Sequence, residues 1–104
     1  MFRVFRSDWY QKKFDKLEKA EQERIVKFEQ HLKEQPYNGK PLGYDFFREK
    51  KFDEKRLIFL VYETHKIVFL VTITDKKAQQ TEIDMIKANL DVYKDSIKKL
   101  SEKI

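Results

Sequence analysis

Arg56-Leu57-Ile58-Phe59-Leu60-Val61-Tyr62-Glu63, followed after Thr64-His65-Lys66 by Ile67-Val68-Phe69-Leu70-Val71-Thr72-Ile73-Thr74, decides the fold. Both runs are almost wholly apolar and rich in β-branched and aromatic residues, and the triplet between them reads as a tight turn. A strand that is apolar on both faces belongs in the middle of a sheet with each face covered. One step upstream, Phe46-Phe47-Arg48-Glu49-Lys50-Lys51-Phe52 alternates like an outer strand bearing charges, with Asp53-Glu54-Lys55 as the next turn. The three runs predict an antiparallel meander.

Further upstream, Pro36-Tyr37-Asn38-Gly39-Lys40-Pro41-Leu42-Gly43 holds both prolines and both glycines of the chain. It reads as one long connecting loop inside a single domain. Before it the period is helical. Tyr10, Phe14 and Leu17 form one stripe, and Ile25, Phe28 and Leu32, with Val26 beside them, form a second. Lys19 and Ala20 read as the bend of this helical hairpin. Ser7 or Asp8 is placed to cap its first helix, because a short side-chain oxygen accepts from free N–H groups of the first turn. Phe2 to Arg6 reads as a short edge strand. Downstream, Ile83, Ile86, Leu90, Tyr93, Ile97, Leu100 and Ile104 recur at alternating spacings of three and four. They predict one narrow stripe on a single long helix from about Ala78 to the end. That helix either covers the sheet or forms the seam of a homodimer.

At 104 residues the chain is one domain, 1–104. The lack of cysteine excludes a disulfide scaffold, a thiol nucleophile and a thiolate metal site. His31 and His65 are the only histidines and have no partner at metal-ligand spacing, so neither a metal nor a cofactor is expected. Ser7, Ser96 and Ser101 have no adjacent base, and no glycine-rich phosphate loop is present. No apolar stretch approaches the ~20 residues of a membrane span, and Met1 to Tyr10 lacks a signal-peptide core, so a soluble cytoplasmic protein is expected. The net charge of +5, concentrated in the first half, suits a polyanionic partner.

Turn positions place the basic residues in space. The end of the first meander strand, the start of the second and the end of the third should lie together. One end of the sheet then gathers Arg48, Lys50, Arg56, Lys76 and Lys77, with Lys51 beside them. Such a cluster grips phosphates, arginine as a bidentate fork and lysine as a point charge. Tyr44, Phe46 and Phe52 would stack on bases. Glu49, Asp53, Glu54 and Asp75 share the neighbourhood and would neutralise part of the charge.

This order of elements resembles the RelE/ParE superfamily of toxins from toxin–antitoxin pairs. Arg24-Ile25-Val26-Lys27-Phe28 is similar to that family's second helix and Lys40-Pro41-Leu42-Gly43 to its loop before the sheet. Phe47-Arg48-Glu49-Lys50 is similar to its basic strand, and Val68-Phe69-Leu70-Val71 through Lys76-Lys77 to its last strand and basic end. The resemblance implies a small α+β fold, an antiparallel sheet of about four strands with an N-terminal helical hairpin and a long C-terminal helix. It also implies a toxin that cleaves mRNA on translating ribosomes without a metal and is neutralised by a small, acidic antitoxin. Arg48, Lys50, Arg56 and Lys76 match the family's catalytic basic positions, with Lys50 or Lys76 as the base; Lys51, Phe52 and Lys77 would bind RNA. Two positions depart from the pattern: Asp75 stands where many members have histidine, and Gln80 where the nuclease branch often has tyrosine. The alternatives are a gyrase-directed toxin, a relative that binds its partner without catalysis, and a non-toxin RNA-binding domain.

Overall fold

The computed structural model describes residues 1–103. In chain order these form β1 (Arg3–Arg6), α1 (Asp8–Asp15), α2 (Lys19–Leu32), β2 (Lys40–Tyr44), β3 (Phe47–Phe52), β4 (Lys55–Tyr62), β5 (Ile67–Asp75), α3 (Gln79–Ala88) and α4 (Leu90–Lys103). The strands make one five-stranded sheet in the order β1-β5-β4-β3-β2. The apolar pair β4 and β5 lies inside it, as its composition requires. Two features differ from the expected four-stranded antiparallel sheet. β1 pairs with β5 in parallel, from Arg3 opposite Ile67 to Arg6 opposite Leu70. The second is β2, which lies within the expected loop. Pro41 is tolerated there because β2 is an edge strand, paired on one side only.

Side chains alternate across the sheet. Leu57, Phe59 and Val61 of β4 face α1 and α2, where they bury against Tyr10, Phe14, Ile25, Phe28 and Leu32. Ile58 and Leu60 face the other way, against Ile83 and Ile86 of α3. In β5 the alternation breaks once. Ile58 pairs with Thr72 and Phe59 with Leu70, which leaves Val71 as a one-residue bulge. Ser7 fixes this bulge: its hydroxyl donates to the Val71 carbonyl at 2.6 Å and accepts from the Tyr10 N–H at 2.9 Å. One side chain thus caps α1 and ties it to β5 where β1 ends.

The hairpin bend falls at 16–18, ahead of the expected Lys19-Ala20. Glu18 is the N-cap of α2, and its N–H donates to Glu21 Oε1 at 3.4 Å, so Lys19 and Ala20 are already helical. The expected single C-terminal helix is broken at Asn89, whose side chain donates back to the Met85 carbonyl at 2.7 Å. Ile83 and Ile86 cover the bulged end of the sheet, while Leu90 and Tyr93 pack toward Phe69 and Tyr62. Ile97 is buried; Ile104 of the expected stripe lies outside the described residues. No described helix is long and apolar enough to cross a membrane.

Candidate functional site

With helices on both faces, the sheet stays open at the β3–β4 hairpin. β2 pairs with β3 only as far as Lys40 opposite Glu49, so Lys50, Lys51 and Phe52 have an uncovered edge. A cleft of about 490 Å³ forms there, lined by Gly39, Lys40, Glu49, Lys50, Lys51, Arg56 and Gln79. Gly39 permits the close approach of the loop. It has φ +79°, and a Cβ on it would stand 2.2 Å from the Glu49 carbonyl oxygen.

The β3–β4 turn has two central residues, Asp53 and Glu54, with Asp53 at φ 52°. Lys51 therefore lies opposite Arg56, and Lys50 opposite Leu57. The pleat puts Glu49, Lys51 and Arg56 on the α3 face, while Arg48 and Lys50 share the α1–α2 face with Leu57 and Phe59. The Val71 bulge adds Thr72 and Thr74 to the α3 face, Thr74 directly opposite Arg56.

At the floor of the cleft sits Glu49, 7% exposed. Its Oε1 accepts a hydrogen bond from Gln79 Nε2 and lies 3.5 Å from Arg56 Nε. Its Oε2 has no hydrogen-bond partner among the described residues, and no buried side-chain polar atom there lacks one. Oε2 is therefore not sealed from solvent, and Glu49 lines the cleft. Lys40 and Lys51 are exposed, and neither they nor Lys50 form an ion pair among the described residues. Asp53 and Asp75, expected to neutralise the cluster, are engaged elsewhere. Asp53 pairs with Arg24 at 2.7 Å, and Asp75 Oδ1 accepts from the Ala78 N–H at 2.8 Å ahead of α3.

The structure sorts the expected residues. Arg56 and Lys51 face each other's strand on the cleft side, and Lys50 reaches the cleft from the opposite face with its Nζ 5.7 Å from the Phe28 ring centre. Lys76 and Lys77 are exposed between β5 and α3, at the same end of the sheet. Arg48 does not belong to the cleft. It is 8% exposed, and its three nitrogens donate to the carbonyls of Asn38, Asp45 and Gly39 at 2.9, 2.9 and 3.0 Å. Its guanidinium is used up in holding the loop that carries Gly39. Phe52 meets Phe28 edge-on at 5.5 Å and packs, partly buried, against the core. Tyr44 and Phe46 stack on each other at 4.9 Å in a separate groove of about 650 Å³ beside the β4–β5 turn, at the far end of the sheet. Sequence reasoning placed Glu49 beside the basic cluster only as a neutralising charge, which its 3.5 Å approach to Arg56 matches, and missed Gln79. The signal for Glu49 was its place in Phe47-Arg48-Glu49, two positions from a core aromatic and so on a buried face. Gln79 carried no such signal, since only the fold brings it to Glu49. Among the described residues no three or more His, Cys, Asp or Glu side chains are grouped to hold a metal ion.

No protein-family model matches the sequence, and no curated relative matches it. Similarity appears in three dimensions. A doubly substituted E. coli toxin RelE in the free state superposes with a TM-score of 0.71 at 19% identity, over 84% of this chain and 96% of that one. A chain of the intact E. coli RelBE toxin–antitoxin complex gives 0.65 at 19% identity, covering 72% of this chain and 96% of that one. A chain of the RelBE2 toxin–antitoxin complex from Mycobacterium tuberculosis gives 0.63 at 19%, covering 72% and 98%. Identities this low speak for architecture alone, and on that evidence the chain has a RelE-like toxin fold.

Proposed function

We propose that this protein is the toxin of a toxin–antitoxin pair and acts as a metal-independent endoribonuclease on mRNA at the translating ribosome. The observation that carries the reading is the cleft at the open end of the sheet, where Lys40, Lys51 and Arg56 share a face with one buried carboxylate, Glu49, and Lys50 lines the rim from the other face. Like charges gathered on a rigid sheet favour an anion between them, and a phosphodiester brings one negative charge per link. The fold is that of proteins solved as RelBE toxin–antitoxin complexes, which supports a small, acidic antitoxin as the partner.

RNA cleavage needs an acceptor for the 2′-hydroxyl proton, positive charge on the phosphate and a donor to the leaving oxygen. The Oε2 of Glu49 takes the 2′-proton in place of a lysine. The 2′-oxygen attacks phosphorus, and the P–O5′ bond breaks with its electron pair going to O5′. Lys51 gives O5′ a proton. Arg56 holds the charge that builds on the non-bridging oxygens. The products are a 2′,3′-cyclic phosphate and a 5′-hydroxyl. Lys50, Lys76 and Lys77 hold neighbouring phosphates.

Expression of the chain should arrest translation and leave mRNA cut, and the purified protein should cut mRNA on programmed ribosomes. Arg56→Ala should lower the cleavage rate by about 10²–10³-fold and Glu49→Gln by about 10²–10⁴-fold. Wild-type rates in both variants would remove these roles. DNA cut by gyrase in the absence of RNA cleavage would select the gyrase-directed alternative. Gln80 favours a partner-binding relative without catalysis, because it stands where the resemblance expects tyrosine and its amide donates to Asp84 at 2.9 Å. Tight antitoxin binding with neither nucleic acid cut would select that reading.

A further inference from the structure

We propose that Gln79 is a positioning residue, whose amide locks the Glu49 carboxylate so that Oε2 faces the cleft; this rests on the nuclease reading above. An ion pair sets distance but little orientation. Arg56 Nε is 3.5 Å from Glu49 Oε1, too far to fix the plane of the carboxylate. The Gln79 Nε2 hydrogen bond to the same Oε1 restrains that oxygen directionally, which the ion pair does not. With Oε1 engaged by both Gln79 and Arg56, Oε2 is left as the carboxylate oxygen without a partner among the described residues.

Gln79 itself arrives on an anchored element. It is the first residue of α3. Just ahead of it, Asp75 Oδ1 accepts the Ala78 N–H and sets the turn out of β5. Three residues on, Glu82 receives Lys13 Nζ at 2.9 Å on both oxygens and the Thr72 hydroxyl at 2.9 Å. The first turn of α3 is thus tied to β5 behind and to α1 beside. A side chain delivered from such a turn can hold a carboxylate to within the tenths of an ångström that proton transfer requires.

The test uses the full chain cutting mRNA on programmed ribosomes. Gln79→Met keeps the length and bulk of the side chain and removes the donor. It should lower kcat about 10- to 100-fold and leave KM within about twofold, since phosphate contacts remain. Gln79→Lys restores a donor and should recover part of the loss. In a Glu49→Gln background, Gln79→Met should have no further effect, because there is no carboxylate left to orient. Unchanged kcat in Gln79→Met overturns the proposal, as does an equal loss in both backgrounds, which would mark a purely structural role. A wild-type protein that cuts no RNA removes the nuclease reading and this role with it. A wild-type protein that cuts, with an indifferent Gln79→Met variant, removes the positioning role alone.

Discussion

Tyr10 has no exposed surface, and its hydroxyl donates to Glu29 Oε2 at 2.9 Å. Arg6 closes the group, donating to both oxygens of Glu29 at 2.9 and 2.7 Å. Burial first, then the negative charge of Glu29, holds the Tyr10 pKa far above its ordinary value of 10.0. Tyr62 is raised as well, by burial and then by its neighbour Tyr93. A raised pKa contributes stability that is fully present below the unfolded value and is lost progressively as pH rises from there toward the folded one, because the unfolded chain loses a proton that the folded one keeps. Stability should fall as pH rises beyond about 10, by about 1.4 kcal/mol per pH unit for each retained proton. Tyr10→Phe should take one such increment out of the slope. Urea unfolding between pH 9 and 11.5 measures this, and an unchanged slope would mean that the hydroxyl ionises within the fold.

Among the elements, β2 depends most on a single atom. A methyl group at Gly39 would stand 2.2 Å from the Glu49 carbonyl oxygen, at a φ of +79° that suits glycine. Gly39→Ala should cost about 2–4 kcal/mol, read as a lower urea midpoint with loss of amide protection at β2 before the rest of the sheet. β4 and β5 were legible because composition alone marks a strand buried on both faces, and the two N-terminal helices because their stripes are regular. β2 was not legible: Pro41 and Gly43 look like breakers unless the strand is known to lie at an edge. The site was half legible for a related reason. Reading the turn as Asp53-Glu54-Lys55 sets Phe52 opposite Arg56, and then Arg48, Lys50 and Arg56 share one face. The actual turn is one residue shorter and sets Lys51 opposite Arg56, which moves Arg56 to the other face. One residue of register thus separates the expected cluster from the observed cleft, although both lie at the same end of the sheet. The break at Asn89 escaped notice because the spacing of three and four continues through it.

For the molecule as a whole, +5 is a modest charge, and what matters is whether it acts as a diffuse field or at one place. The architecture argues for one place. α1 and α2 cover one face of the sheet, α3 and α4 the other, and β1 and β2 close its sides. Of the two open ends, the hairpin end gathers the cations: Lys40, Lys50, Lys51 and Arg56 line the cleft, and Lys76 and Lys77 are exposed beside it. A single strand that neutralises its phosphates there releases counterions in proportion, with a slope of log K against log salt of about −0.7 per contact. Six contacts, one from each of these cations, give a slope of about −4.2. Replacing Lys51 and Lys76 together by alanine should flatten it by about 1.4. Lys98→Ala, on the exposed side of α4, should leave it unchanged. Fluorescence anisotropy with a 2′-O-methyl oligonucleotide, which has no free 2′-hydroxyl to attack, measures binding without cleavage. Equal flattening by Lys98→Ala would mean that the anion samples the whole surface, and the cleft would lose its claim to be the site.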